Sequence, residues 1–386
     1  MPSRRRLRPV AGWSMPDPEA ARRLMTREGT RMTVDLLVRA GRVFCAATGR
    51  DGPGSVAIRD GRIVEAGDRP AAREVLEFPD ALLIPGLVDL HAHPARGGSK
   101  YGICPDRYML PTGVTTVLSQ GDAGAGTWPA YRDDVVRACR TRVRMALNLS
   151  ARGEATPLAC YGDPADVDVS ACVDAIARAG DDIWGISVNL SRFSCGGTDP
   201  RWVLDRALEA AERSRRPILF GAREDVDWPV AEQIALLRPG DVVTYCYMAS
   251  RNVLEARARV HPAARAARAR GVLFDVGHGT AAYDPEVARI AIADGFPPDT
   301  VSSDMYVMHV GRPARHDLPF VISQLVEAGM PETEAFAAAT MRPAALLGLA
   351  GEVGTLAPGA CADLAVLHRS QDGWRALRTF RAGDPR

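Results

Sequence analysis

Two histidines one residue apart, His91 and His93, end an apolar run that reads Leu82-Leu83-Ile84-Pro85-Gly86-Leu87-Val88-Asp89-Leu90. Residues i and i+2 of an extended strand share a face, so both imidazoles leave the strand end side by side. Two neutral imidazoles placed like that form a natural pair of metal ligands. A chance pair on a surface is the alternative. The continuous Leu, Ile and Val before the pair, with Pro-Gly at the entry, read instead as a buried strand.

A metal pair needs a scaffold, and the chain supplies an alternation of short apolar runs and helical stretches. The runs cover 82–90, 114–118, 143–149, 183–190, 217–220, 242–247, 272–276 and 300–303. Helical patterns lie between them at 131–142, 170–179, 201–215, 228–237, 262–270 and 285–294, and two more, 319–328 and 332–347, follow the last run. Eight strands alternating with helices predict an α/β fold of the (β/α)8 TIM-barrel type, which typically takes about 250 residues. A doubly wound open sheet is the rival, but it gives no reason for polar residues at nearly every strand end. Those ends carry His91 and His93, Asn148 and Ser150, Ser187 and Asn189, Tyr245, Asp275 with His278, and Asp304. Sites in such barrels lie at the C-terminal mouth of the strands. The long loop 305–317 after the last run, with His309, Arg312 and Arg315, is accordingly placed for substrate contacts; arginine's planar fork suits a carboxylate.

Flanking this region are β-rich segments. Residues 34–44 and 55–67 contain Asp60-Gly61 between apolar runs, a hairpin signal, and 354–367 repeats the style. The expectation is a small β-sandwich domain built from 33–80 plus 351–386, with 81–350 as the barrel. Residues 1–32 read as a disordered extension, or as an over-called start with Met15 or Met32 as the true one; no apolar h-region follows the arginines near the N-terminus.

Composition narrows the function. Of 386 residues, 46% are hydrophobic and 25% charged, and 48 basic against 47 acidic side chains leave a formal charge of +1. No large electrostatic footprint argues for nucleic acid or an anionic membrane, so a small molecule is the expected partner. The eight cysteines include no C-x-x-C pair, which argues against a zinc ribbon, a redox dithiol or a disulfide framework and fits a reducing cytoplasm. Cys195 is the candidate reactive thiol, while His261, His316 and His368 read as structural or surface residues. Lys100 is the only lysine, and the arginine bias points to a high-GC bacterium.

Ile84-Pro85-Gly86-Leu87-Val88-Asp89-Leu90-His91-Ala92-His93, Thr112-Gly113-Val114-Thr115-Thr116-Val117, Ser302-Ser303-Asp304 and Gly354-Thr355-Leu356-Ala357-Pro358-Gly359 together resemble the amidohydrolase superfamily. Residues 238–244 and 271–279 are similar to its deacetylase, D-aminoacylase and dihydroorotase-like branch. The resemblance implies a metal-dependent hydrolase with the metal on His91, His93 and Asp304. In that mechanism the metal acidifies water and polarises the substrate carbonyl, and the Asp304 carboxylate moves the proton to the leaving group.

The departures from the family pattern matter as much. A carbamylated lysine at the end of the fourth strand is replaced near Ser187, and the histidines of the fifth and sixth strands by Gly221 and Tyr245. The implied site therefore holds one divalent metal. Zinc, with three protein ligands and an open position, is the leading expectation, although Fe(II) or Mn(II) would accept the same set. If Asp304 is bound up as a ligand, His278 becomes a candidate to share proton transfer. Tyr245 is read as substrate-binding, and Tyr245, Cys246 and His309 each remain open as replacement ligands. The implied function is hydrolysis of an amide, ester or cyclic C–N bond in a small molecule. The alternatives are a lyase, decarboxylase, cyclase or isomerase on the same scaffold, or a catalytically degenerate binding or scaffold subunit. Self-association is left open.

Overall fold

Strands buried on both faces need no polar alternation, and they pair in parallel beneath covering helices. The apolar runs after residue 86 do this in the computed structural model, which describes residues 33–65, 70–224 and 228–383. The expected extension 1–32 lies outside the described residues. Strands β5 (Leu87–Ala92), β6 (Val114–Gly124), β7 (Arg142–Asn148), β8 (Ile183–Asn189), β9 (Ile218–Gly221), β10 (Val242–Thr244) and β13 (Leu273–Phe274) form a curled seven-stranded sheet. Its strands run parallel in sequence order, and the small hairpin β11 (Leu254–Glu255) and β12 (Arg259–Val260) is inserted before β13.

The last apolar run is extended and makes isolated parallel bridges to both edges of this sheet, Asp275 with Thr300 and Ala92 with Met305. Its backbone bonds reach the same two sides: His278 N–H donates to the Ser302 carbonyl (3.2 Å) and Asp304 N–H to the His91 carbonyl (2.8 Å).

Four expectations change on contact with the fold. The run 82–90 is not one strand: β4 (Ala71–Pro85) belongs to a second sheet, and the chain passes between sheets at Gly86, whose N–H donates to the Asp363 carbonyl at 2.7 Å. The helix expected over 131–142 is only a turn at Trp128–Tyr131 and a π-helical turn at Arg132–Val136, because Asp106 captures the backbone N–H groups of Arg140 and Thr141. The helix expected over 332–347 breaks into Glu332–Ala338 and Met341–Leu346. The Ala338 and Ala339 carbonyls between them accept from Val301 and Val88, so the helix end docks on strand backbone instead of continuing.

The fourth change concerns the small β unit. Residues from both ends of the chain do meet, but in one six-stranded sheet, ordered β15-β14-β4-β1-β2-β3, from β1 (Thr33–Cys45), β2 (Arg50–Arg59), β3 (Arg62–Val64), β14 (Leu364–Ser370) and β15 (Gly373–Phe380). Their hydrogen bonds run as one continuous sheet. The Asp60-Gly61 turn joins β2 to β3 as read, with Arg59 opposite Arg62. Alternation along β4 and β14 serves two cores: Leu83 and Val366 pack inside the small unit, while Leu82, Ile84, Ala365 and Leu367 face the main core. No described helix is long and apolar enough to cross a membrane.

Candidate metal centre

Strand β5 and the residue just past its end bring His91 and His93 to the mouth of the curled sheet, both buried, and the segment after β13 delivers Asp304 opposite them. The placement of Asp304 has a local cause. Ser302 and Ser303 are buried staples: Ser302 Oγ donates to Asp275, and Ser303 Oγ and N–H both donate to Asp89. The two serines thus tie the segment to its neighbours on either side and leave the next residue to face the site. Asp304 adopts φ 49, left-handed backbone that a non-glycine residue enters at a cost, of the kind found at functional sites.

The Gly277-His278-Gly279 turn lies against it. A Cβ on Gly277 would come within 2.3 Å of Thr244 Oγ1, and one on Gly279 within 2.5 Å of Asp304 Oδ2. Both glycines are therefore required by close approach.

The histidines are aimed by hydrogen bonds from behind. His93 Nδ1 lies 3.0 Å from Asp122 Oδ1, and Asp122 also accepts from Ser99 Oγ and Ser119 Oγ at 2.6 Å each. His91 Nδ1 lies 2.7 Å from Thr244 Oγ1, whose hydroxyl donates to Asp275 Oδ2 at 3.0 Å, so the threonine oxygen is left to accept from His91. Both Nδ1 atoms are proton donors in this scheme, and both Nε2 atoms present bare lone pairs to the site. They face Asp304 Oδ1, 3.3 Å from His91 Nε2 and 3.6 Å from His93 Nε2. That oxygen is buried and accepts no hydrogen bond.

One ligand atom from each of the three residues lies within 4.8 Å of the others, the only such group among the described residues. Three acceptor atoms converge, and this set of two imidazoles and a carboxylate fits a divalent metal. Burial opposes charge on His93, but Asp122 and Asp304 hold its pKa up to about 10. Burial likewise opposes charge on Asp304, yet the two histidines keep it well below the ordinary carboxylate range.

The cavity over this cluster has a volume of about 240 Å³, walled by Tyr101, Tyr245 and Tyr306 and lined on its polar side by Gln120, Asn189 and Arg251. A larger cleft of about 660 Å³ beside Val230–Ala235 holds none of the three clustered residues. Tyr245 enters the mouth as read from the sequence, its hydroxyl 3.3 Å from His91 Nε2. Burial first, then the charge on Asp304, pushes its pKa well above the usual phenol value.

Other expected residues stand further off. His278 is bound through Nε2 to Gln324 and stacked on Tyr283, and burial lowers its pKa to about 4. His309 contacts Thr280 through Nε2 (2.9 Å) and stacks on His316 at 3.8 Å. Arg312 bonds the Met308 carbonyl, and Arg315 is taken up by Asp317 and the carbonyls of Asp372 and Trp374. None of these four lines the mouth cavity. Cys246 packs in the core, and Cys195 is buried with its thiol pushed up to about 11 by desolvation, against the opposing pull of Arg223. Sequence reasoning missed Asp122 and the link from Thr244 to Asp275; no local pattern marks them, because each acts on a distant histidine.

The family model described as "Amidohydrolase family" matches residues 264–382. A deacetylase of Agrobacterium fabrum is 30% identical over 305 residues, covering 75% of this chain and 72% of that protein. A deacetylase of Enterococcus faecalis is 28% identical over 345 residues, covering 87% and 90%. Among solved structures, an adenine deaminase superposes with a TM-score of 0.79 at 25% identity, covering 91% of this chain and 98% of that one.

Proposed function

The chain belongs to the amidohydrolase family and is a hydrolytic enzyme acting on C–N bonds; we propose that it does so with a single divalent metal, zinc first, held by His91, His93 and Asp304. We also read the segment 300–305 as the eighth stave of a (β/α)8 barrel that begins at Gly86 and runs to about residue 350, with the described residues of 33–85 and 351–383 as its companion β unit. The substrate class is a small molecule with an amide, ester or cyclic C–N bond, and the deacetylase relatives favour an acetyl amide.

One observation carries the reading: three buried acceptor atoms converge, with Asp304 Oδ1 unpartnered among them. A divalent ion there would supply Lewis acidity, lowering the pKa of water towards ~7 and polarising a carbonyl. The rest falls to the chain's own residues. Asp122 and the Thr244–Asp275 link orient both histidines through Nδ1 and leave Nε2 of each for the ion. Asp304, held anionic, accepts the proton of the attacking water and returns it to the departing nitrogen. The three tyrosine rings limit bulk water at the mouth.

Support for one ion rather than two comes from the neighbouring strand ends. Ser187 Oγ is engaged by Gln120, Gly221 has no side chain, and Tyr245 offers a phenol. Metal analysis of protein purified without chelators tests this, with about one ion per chain and turnover lost on chelation as the expected result. Two ions per chain would overturn the single-metal reading. Far less than one, with no activity gained on adding Zn, Mn or Fe, would overturn the metal reading altogether.

A further inference from the structure

We propose that Tyr245 is a catalytic residue whose phenol donates a hydrogen bond to the substrate's carbonyl oxygen while the carbonyl carbon is attacked. The inference rests on the one-metal reading and goes beyond it by assigning a second electrophile to the site.

Its first support is backbone geometry. Consecutive residues of a strand point to opposite faces, so Thr244 and Tyr245 should not both reach His91. They do, because β10 ends at Thr244 and Tyr245 turns into left-handed backbone at φ 63. Thr244 Oγ1 then meets His91 Nδ1 at 2.7 Å, and the Tyr245 hydroxyl meets His91 Nε2 at 3.3 Å. A bulky residue at positive φ is a backbone outlier. The other described non-glycine examples are Asp304, at the site, and four residues in hairpin turns or at a helix end: Asp60, Arg215, Ala256 and Arg257. Strain at Tyr245 is thus spent on aiming one ring.

The second support is what holds that ring. Arg251 lies over it, 5.5 Å from the centroid, itself anchored on the Ala222 carbonyl and the Met248 sulfur. The His91 ring meets it edge-on at 5.0 Å. With His91 Nε2 engaged by an ion, the phenol would have no acceptor there and its O–H would be available to an oxygen beside the three ligand residues.

The reaction balances with water as the only co-reactant. The water oxygen bonds to the carbonyl carbon, the π pair moves onto the carbonyl oxygen, and Asp304 takes the water proton. Tyr245 keeps its own proton and donates only a hydrogen bond to that oxyanion. Collapse restores C=O, breaks C–N and sends the Asp304 proton to the leaving nitrogen.

The test compares wild type with Tyr245→Phe, which keeps the ring, and Tyr245→Asn, whose side chain tolerates left-handed backbone and so guards against a folding failure. Zinc content, turnover of 4-nitroacetanilide and binding of methylphosphonate, a tetrahedral mimic, are measured for each. We expect unchanged zinc and KM, a kcat lower by about 10²–10³, as for removal of one oxyanion donor, and methylphosphonate binding weakened at least about tenfold. Turnover and methylphosphonate binding equal to wild type would overturn this proposal and leave the one-metal reading standing. Loss of zinc in both variants would make Tyr245 a ligand and overturn it as well. A wild type that binds no zinc would remove the one-metal reading and this proposal together.

Discussion

Two groups of buried histidines flank the Gly277-His278-Gly279 turn, and their chemistry is opposite. On one side His93 faces Asp122 and Asp304, which raise its pKa to about 10 against the cost of burial. On the other, His278 and His309 face the Gln324 amide, the Thr280 hydroxyl and each other's neighbour His316, and desolvation first, with His316 adding to it, lowers both to about 4. Burial is common to both groups. The partners decide whether a buried histidine is a site for a cation or a neutral packing element: carboxylates repay desolvation of positive charge, and neutral dipoles do so far less.

The largest expected effect breaks the first group. His91→Ala removes a donor from the cluster, and kcat on any C–N substrate should fall about 10³-fold or more with metal content, since the ion supplies several kcal/mol and each ~1.4 kcal/mol is tenfold. Retained turnover with no bound metal would erase the distinction between the two groups.

Next comes the pH response of the second group. The folded pKa of His278 lies below its unfolded value, so between pH 6.5 and about 4 the unfolded chain binds the extra proton and stability falls as pH falls. The shift corresponds to about 3 kcal/mol. His278→Gln should flatten that slope in urea melts across the same window. An unchanged slope would mean that the ring charges freely in the fold.

A smaller effect sharpens the role of carboxylate partners. Asp122→Asn keeps the shape and removes the charge behind His93, and metal affinity should weaken about 10–100-fold by calorimetry, the usual cost of losing such a partner. No change would show that position alone, not charge, aims His93. The smallest is Arg315→Ala. Its pair with Asp317 at 2.7 Å is partly shielded and anchors the loop bearing His309 and His316 to β15, so a loss of about 1 kcal/mol in thermal stability is expected. A loss of metal instead would place that loop in the first group.

Much of the scaffold was legible. Continuous apolar runs became parallel strands because a strand covered on both faces has no use for polar alternation. The misreadings fell where distant backbone intervened: at Gly86, bonded to Asp363; at Arg140 and Thr141, captured by Asp106; and at Ala338 and Ala339, whose carbonyls serve Val301 and Val88. The site was legible in its donors, His91, His93 and Asp304, and in the phenol of Tyr245. For Arg312 and Arg315 no partner was legible, since a loop arginine reads the same whether it meets a ligand or the backbone carbonyls found beside both.

The sequence by itself determined the donor types, their strand-end positions and, through the single lysine, the absence of a lysine from the end of the fourth strand. Tertiary structure decided which nitrogen of each histidine faces the site. Asp122 is 29 residues from His93, and Thr244 is 153 from His91. Periodicity reports which face of an element a residue occupies. The tautomer of a buried imidazole is set by whatever oxygen the fold brings to its other nitrogen, and that oxygen comes from another strand.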